Sequence, residues 1–413
     1  MAFIVDRMKM DNFFRKKMDN YFPMKIGNYL RMLIVRGTSL PFKSLIKEKW
    51  HVVINSGLTA VGNAGGTFMF RLYYQHGGSR KWISASAKAF GFPVLLIPIS
   101  FLYLFQHRRS SSFDKFLASP KVLLCGIGVG VLNGLDNFMH SLGFSILPIS
   151  TSSLLFAAQL PFTAIFALIL VRHKFTPYSI NSVVVITMGS IPLGLNKNSD
   201  TDCVTSPKYL LGFVATLGAA GLIGFILSCS EFTFKRVAKR LSYSNVLQFQ
   251  FCAGISSSLF CMAGMLINKD FTAMATEARN FGLGATKYYQ VLACNAVLWQ
   301  LSLTGSNGLI FNSSAVSTGI FTSTLRPVID TAAVIMDHEK FTGEKGMALA
   351  HYAWGFASHL YGSFKNRLMQ KVDQIGSNLL PNKQSGLARL YYNGRKGLGD
   401  LQSDGSRLID KLT

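Results

Sequence analysis

Charged residues are scarce in this sequence: Asp, Glu, Lys and Arg make up 15% of its 413 residues, and only 19 are acidic. Soluble domains usually carry about a quarter of their residues charged. The six cysteines form no CxxC pair and no Cys/His spacing of a zinc site. The sequence also has no HExxH motif and no Ser-His-Asp arrangement. These absences argue against a disulfide framework, a metal site and a hydrolase, and we expect neither a cofactor nor catalytic residues.

Long apolar runs are what the sequence has instead. Hydrophobic residues make up 49% of the chain, and its mean hydropathy is +0.30. Ten runs of roughly 17 to 25 residues each match the length of a helix that crosses a hydrocarbon layer of about 30 Å. The runs lie at 52–73, 83–105, 121–145, 150–171, 178–195, 209–232, 245–267, 288–310, 314–336 and 344–363. The pattern predicts an all-α polytopic membrane protein with ten transmembrane helices, or nine if the runs on either side of 311–313 form one span.

The position of the basic residues predicts the orientation in the bilayer. The net charge is +23, with eleven Lys and Arg before Trp50 and nine after Phe364. Ten more lie in the loops that would share the side of the termini, while about ten are spread over the four opposite loops. This asymmetry follows the positive-inside rule and places residues 1–50 and 365–413 in the cytoplasm. The basic clusters lack the interleaved aromatics of a nucleic-acid surface, so no nucleic-acid partner is expected.

A repeat links the two halves of the chain. Residues 160–176 (LPFTAIFALILVRHKFT) align with 326–342 (RPVIDTAAVIMDHEKFT) at an offset of 166, which places the fourth span on the ninth. A repeat unit of five spans enters the membrane from opposite sides in its two copies. The sequence therefore predicts two inverted five-helix repeats, 51–200 and 201–364, the architecture of secondary transporters that work by alternating access.

Several separate blocks resemble the plant purine permeases of the drug/metabolite transporter superfamily. The blocks are GNAGGTFMFRLYYQHGGSRKW (62–82), GLDNFMHSLGFSILPISTSSLLFAAQLPFTAIFALILVRHKFTP (134–177), YLLGFVATLGAAGLIGFIL (209–227) and HEKFTGEKGMALAHYAWGFASHLYG (338–362). The resemblance covers about three quarters of the chain. It implies ten helices and proton-coupled import of purine nucleobases, cytokinins or related nitrogen heterocycles across the plasma membrane.

The chain departs from this family at three places. It has Arg326 before the proline of the ninth span where the family usually has an apolar residue, and Asp330 where the family usually has Glu. The family's common Glu-Thr-Ala-Gly-Trp-Pro in the second span is here Lys88-Ala89-Phe90-Gly91-Phe92-Pro93. Some members carry plant alkaloids, so a carrier of alkaloids or other amphiphiles is one alternative. A non-transporting membrane scaffold that recruits a partner through its basic tails is the other.

Polar side chains in the spans are candidates for binding a purine. A purine offers a planar aromatic face and an edge of donors and acceptors, which suits an aromatic ring together with amides. The candidates share a position at membrane depth, and they are Asn63, Gln159, Gln250, Trp299, Gln300 and Asn307. For each amide, a hydrogen bond to a neighbouring helix is the alternative.

Ionisable side chains in the spans are candidates for proton coupling, because desolvated groups can exchange protons as a site opens. They are Asp136, Glu231 and Asp330, with His140 four residues after Asp136 on the same helix face. Each has a structural alternative. Arg326 can neutralise Asp330, Glu231 can face the surface near the cytoplasm, Asp136 can bond a neighbouring helix, and His140 can lie at the membrane interface.

The fourth span opens with the hydroxyl residues 150–153 and carries Gln159 and Pro161. Hydroxyls satisfy the free amides at a helix start, and an internal proline frees a carbonyl. We expect a kinked helix whose polar side lines a cavity, mirrored in the ninth span by Ser323, Thr324 and Pro327. Pro161, Arg326 and Pro327 are therefore predicted to have structural or gating roles.

Overall fold

The computed structural model describes residues 50–107, 118–147, 156, 158–173, 175–195, 207–238, 242–336 and 343–379. Lys49–Gly362 form one compact unit, which contains all the sites discussed below. Of the second unit, residues 363–379 are described and are helical. The hydroxyl residues 150–153 and the Lys-Phe-Thr lysines at 174 and 340 lie outside the described residues.

The regular structure of the described residues is entirely helical. The helices are α1 (Trp50–Gln75), α2 (Lys81–Ala89), α3 (Leu96–His107), α4 (Pro120–Ile146), α5 (Gln159–Phe166), α6 (Pro177–Leu195), α7 (Pro207–Phe232), α8 (Tyr243–Ile267), α9 (Asp270–Arg279), α10 (Ala285–Asn312), α11 (Ala315–Met336) and α12 (Gly343–Leu379). A 3-10 turn, Phe92–Leu95, joins α2 to α3, and π-helical turns at Ala167–Val171 and Thr233–Val237 extend α5 and α7.

Helices occur within each of the ten predicted ranges, and in the described part of the chain four segments are long and apolar enough to cross a membrane. These are Lys81–Leu104, Pro120–Ile146, Lys208–Val237 and Tyr243–Ile267. Gln159–Val171 is apolar but shorter. The all-helical class and the apolar membrane helices are thus as predicted, whereas ten spans in two inverted repeats stay a prediction. α10 and α11 are separate helices with only residues 313–314 between them.

The surface of the helical unit is apolar and its interior is partly polar. Ile97, Ile267 and Trp354 are 73%, 85% and 64% exposed, whereas Thr59 and Ser182 are fully buried. Exposed apolar surface of this extent needs a lipid environment. The polar side chains face the inside of the bundle, where other helices can satisfy them.

Glycines bring α1 and α10 into close contact. A Cβ on Gly62 would overlap the backbone of Ser302, and one on Gly305 would lie 2.5 Å from the carbonyl oxygen of Asn55. The same device joins α4 to α8, where a Cβ on Gly126 would lie 2.8 Å from the carbonyl oxygen of Phe249. Small residues at such crossings allow helices to pack without a hydrophobic driving force in lipid.

Further helix contacts complete the bundle. α4 also packs against α7, and α5 packs between α7 and α11. α2 contacts α4, α8 and α10 at once. This position places the last turn of a short helix in the interior of the unit.

The two aligned prolines have different surroundings. α5 begins at Gln159, so Pro161 lies in the first helical turn, where a proline is tolerated without a lost hydrogen bond. Pro327 lies inside α11, which continues through it. Residue 156 is also helical, and residues 148–155 and 157 lie outside the described ranges, so the kink expected at Pro161 stays a prediction. In α11, Thr324 Oγ1 donates to the carbonyl oxygen of Ile320, and Ser323 is fully buried.

Candidate functional site

A lysine and a histidine meet in the interior of the unit. Lys88 Nζ lies 3.0 Å from His140 Nδ1, and the two residues are only 5% exposed. A protonated lysine can only donate, so Nδ1 accepts and the ring proton of His140 lies on Nε2. An ammonium group bonded to a neutral imidazole is an unusual buried pair, because buried lysines normally face a carboxylate.

Aromatic rings surround this pair. Lys88 Nζ lies 4.3 Å from the ring centroid of Trp299 and 5.8 Å from that of Phe70. The imidazole of His140 lies 4.3 Å from Phe156 and 4.6 Å from Phe144, centroid to centroid. The rings stabilise the ammonium through cation–π attraction while they exclude water from it.

Asp136 and Arg326 complete the central cluster, which we define as Lys88, Asp136, His140, Trp299 and Arg326. Asp136 is 3% exposed and interacts electrostatically with both Lys88 and Arg326. Arg326 Cζ lies 4.6 Å from the ring centroid of Phe156. Among the described residues, the buried atoms Asp136 Oδ1 and Trp299 Nε1 have no hydrogen-bond partner. One free acceptor and one free donor therefore lie inside the same cluster.

Local sequence explains how these side chains come together. Lys88 lies in the last turn of α2, where a cation is favoured by the helix dipole, and the 3-10 turn containing Pro93 follows. Asp136 and His140 are four residues apart on α4 and so share one face. Gly66 gives the indole room, because a Cβ there would lie 2.9 Å from Trp299 Nε1.

Two of the predicted amides bind each other. Asn307 Nδ2 donates to Gln250 Oε1 between α10 and α8, and both residues are buried. Gln300 Nε2 donates to Thr304 Oγ1 at 3.3 Å on its own helix. A Cβ on Gly91 would collide with the Cβ of Gln300. Gln250 and Asn307 thus bond across two helices, as in the interhelical alternative, whereas the bond of Gln300 lies within one helix.

The other two amides are buried in the interior. Gln159 is 4% exposed at the start of α5, and Asn63 is 7% exposed on α1. Of the predicted binding residues, Trp299 is the one that belongs to the central cluster.

Glu231 has a different set of partners from the cluster. It is fully buried, and its Oε2 accepts from the backbone N–H of Ala315 at 2.9 Å, at the first residue of α11. Its Oε1 lies 2.5 Å from Lys235 Nζ and 3.9 Å from His173 Nδ1. Glu231 thus satisfies a free amide at a helix start. The side chain of Asp330 lies outside the described residues, so the predicted pairing with Arg326 is untested.

Lys88 is the functional candidate that sequence reasoning missed. The sequence contained a signal for it, because Lys88 and Arg326 are the two basic residues that lie five or more positions inside a predicted span. An ionisable residue at such depth is expensive in lipid and is normally functional. In the sequence, Lys88 is identified only as the first residue of the segment that departs from the family motif.

A second polar cluster, centred on Glu277, was also missed. Glu277 Oε1 accepts from Tyr73 Oη at 2.8 Å and from the backbone N–H of Ser79 at 2.6 Å, and Oε2 accepts from Tyr288 Oη at 3.3 Å. Arg80 pairs with Asp270 at 3.1 Å beside it. The cluster joins α9 to the turn between α1 and α2. Its residues lie at the ends of predicted spans or in the loops between them, where a polar side chain is ordinary and carries no signal.

Comparison with known proteins gives one consistent result. A profile for a family described as purine nucleobase transmembrane transport matches residues 50–369. Purine permease 3 of Arabidopsis thaliana is 39% identical over 347 residues, which cover 82% of this chain and 97% of that protein. Purine permease 2 of the same plant is 39% identical over 80% of this chain and 96% of that protein. Purine permease 21 is 32% identical, with coverage of 84% and 88%.

Proposed function

Because the chain belongs to the purine permease family of nucleobase transporters, we propose that it is a secondary active carrier that imports purine nucleobases or related heterocycles such as cytokinins together with protons. It is a multi-pass membrane protein and a transporter, not an enzyme. The proposed partners are a purine-like small molecule, protons and the lipid bilayer.

The observation that carries the proposal is the central cluster. A ring system suited to stacking, Trp299, carries a donor without a partner, and Asp136 presents an acceptor without a partner. A purine edge offers acceptors and donors that satisfy both groups. Leaving them unsatisfied in a low-dielectric interior is costly, so a ligand that pairs with both gains affinity. Gln159 and Asn63 are proposed as further contacts.

Proton coupling is proposed to pass through Asp136 and His140. They lie one helical turn apart on α4, and His140 is already hydrogen-bonded to Lys88. A substrate that displaces Lys88 from His140 changes the proton affinity of the histidine and of the nearby carboxylate. Asp330 remains a proposed third member, whereas the contacts of Glu231 favour an anchoring role.

Alternating access is supported by the pairing of the helices. Under the five-span offset, α1 corresponds to α7 and α4 to α10. The contact between α1 and α10 then has the contact between α7 and α4 as its counterpart, and both occur. The contacts of α5 with α7 and of α11 with α1 form a second such pair. This correspondence is expected if the two halves pack by one rule around a shared axis.

The charge distribution supports a cytoplasmic position for both termini. The terminal segments 1–50 and 365–413 carry twenty of the 42 Lys and Arg residues. Loops and termini rich in Lys and Arg stay on the cytoplasmic side of a membrane. The plasma membrane is proposed from membership of the purine permease family.

Uptake of radiolabelled adenine into cells that lack their own nucleobase uptake tests the proposal. We expect saturable uptake that an uncoupler abolishes. Gln159→Ala and Trp299→Ala should weaken uptake at unchanged surface expression, whereas Lys287→Met, at an exposed position of α10, serves as the control and should not. Uptake that is indifferent to the uncoupler would exclude proton symport. Uptake of a labelled alkaloid without uptake of adenine would favour the alkaloid carrier, and no uptake of either would favour the scaffold.

A further inference from the structure

We propose that Lys88 and Asp136 select the substrate by its charge and edge pattern, and that they favour oxopurines, with an acidic ring N–H beside a carbonyl group, over aminopurines and over cationic heterocycles. The inference rests on the proposed function and specifies the substrate class of the same site.

The first observation is the isolation of the Lys88 ammonium group from carboxylates. Among the described side chains, no carboxylate oxygen lies within 4.0 Å of its Nζ. Its contacts are the imidazole of His140 and the faces of Trp299 and Phe70. A buried cation whose direct contacts are all uncharged is costly, and a carbonyl oxygen or an anionic ring bound next to it reduces that cost.

The second observation is the field around Lys88. Asp136 attracts Lys88 and Arg326 repels it. A ligand that places positive charge beside Lys88 is repelled by the ammonium group. A ligand that places a carbonyl oxygen or negative charge there is attracted to it. Electrostatics in the interior therefore discriminates against the cationic form of an alkaloid.

The third observation is the pattern of free groups. Asp136 Oδ1 needs a donor, while Trp299 Nε1 needs an acceptor. Lys88 Nζ has donors beyond the one that faces His140. The lactam edge of an oxopurine supplies a ring N–H for Asp136 and an adjacent carbonyl oxygen for Lys88. A second carbonyl, as in xanthine or uric acid, supplies an acceptor for Trp299.

An aminopurine satisfies the same atoms less well. Its amino group can donate to Asp136, and its ring nitrogen can accept from Lys88. It offers no carbonyl oxygen, however, and the edge that faces the lysine does not become anionic. A hydrogen bond from a charged donor is stronger when the acceptor carries more negative charge. The expected order of affinity is xanthine and uric acid, then hypoxanthine, then adenine, with quaternary N-methylpyridinium compounds last.

Competition on the wild-type chain is the first arm of the test. Uptake of labelled xanthine and of labelled adenine is measured with unlabelled competitors. These are xanthine, uric acid, hypoxanthine, adenine and the quaternary pyridinium form of N-methylnicotinamide, which is methylated on the ring nitrogen. We expect inhibition in the order given above. Stronger inhibition by adenine than by xanthine and uric acid overturns the inference, and so does effective inhibition by the pyridinium.

Removal of the charge is the second arm. Lys88→Met keeps the length of the side chain and removes the ammonium group, and a buried charge replaced by an apolar side chain is often tolerated. Loss of a charge-assisted hydrogen bond predicts a KM for xanthine that rises about 10- to 100-fold, with a much smaller change for adenine. Lys287→Met, with an exposed side chain, is the matched control and should change neither value.

The outcomes separate this inference from the proposed function. If the wild type takes up no purine, the proposed function fails and the inference fails with it. If the wild type takes up adenine in preference, or if Lys88→Met changes both KM values equally, only the inference fails. If Lys88→Met does not reach the membrane, the wild-type competition order decides by itself.

Discussion

Replacement of Glu231 distinguishes an anchoring carboxylate from a proton carrier. The carboxylate accepts from the backbone N–H of Ala315 at 2.9 Å, and it pairs with Lys235, whose side chain is 42% exposed. Loss of the acceptor leaves a buried amide unsatisfied, which costs about 1–3 kcal/mol. Loss of a half-exposed ion pair costs only about 0–1 kcal/mol. The hydrogen bond from the backbone N–H of Ala315 therefore contributes more to folding than the ion pair does.

The neighbouring histidine does not change this balance. Burial lowers the pKa of His173, although the charge of Glu231 opposes the shift. At neutral pH His173 is therefore largely uncharged and adds little to the ion pair.

Two substitutions at Glu231 give opposite expectations. Glu231→Gln keeps an oxygen that can accept from Ala315, so we expect a loss of less than about 1 kcal/mol in folding free energy. Uptake and its sensitivity to an uncoupler should persist. Glu231→Ala removes the acceptor and should lower the melting temperature of the purified protein clearly more than Glu231→Gln does. Lys235→Met leaves the fully buried carboxylate without its cation, so we expect it to lower the melting temperature more than Glu231→Gln does.

Transport and thermal melting are measured on the same preparations. A Glu231→Gln protein that is folded and present at the surface but transports without response to the uncoupler would refute the anchoring role. Equal melting temperatures for the Gln and Ala variants would show that the bond to Ala315 contributes nothing.

Three further predictions concern packing and polar contacts. Gly62→Ala should destabilise the protein by about 1–3 kcal/mol because its Cβ overlaps the backbone of α10, whereas Gly57→Ala, with no atom within 4 Å of its Cβ, should not; thermal melting compares them. Gln250→Leu alone should destabilise the protein more than the double variant Gln250→Leu/Asn307→Leu, because the single change leaves the buried amide of Asn307 without its partner. A double-mutant cycle of melting temperatures measures the difference. Glu277→Ala should lower the melting temperature, because it removes the acceptor of two tyrosines and two backbone N–H groups, while the KM for the preferred purine stays constant. A large KM change at unchanged stability would contradict this.

Hydropathy and length predicted the helical segments well, because the cost of unsatisfied backbone in lipid leaves few alternatives to helices. The boundaries of α4, α7 and α8 lie within a few residues of the predicted ranges. The interruption of the second range by Pro93 and the 3-10 turn was not predicted, nor was the short helix α9 between the seventh and eighth ranges. Both depend on contacts with other helices, which hydropathy does not encode.

The amides show why the site was harder to predict than the fold. Residue type and depth identify Gln250, Asn307 and Gln300 equally well as ligand contacts or as interhelical bonds. The choice depends on whether a partner lies within about 3 Å, and that distance is set by helix rotation and crossing. Gln250 and Asn307 are 57 residues apart in sequence and bind each other. No spacing rule within one helix could have paired them.

The central cluster could have been predicted from the sequence, in contrast to the amide contacts. A charged side chain inside a span has a high free-energy cost, which can be recognised without knowledge of its contacts. A lysine inside a span costs several kcal/mol on any scale of membrane insertion, so it persists only where partners or function compensate. Lys88 and Arg326 come from opposite halves of the chain and act on the same carboxylate, Asp136. The two costs are therefore linked, because removal of Asp136 takes away a carboxylate that attracts both cations, and the cations repel each other. Under the proposed function, a substrate that places negative charge beside Lys88 offsets part of the same cost.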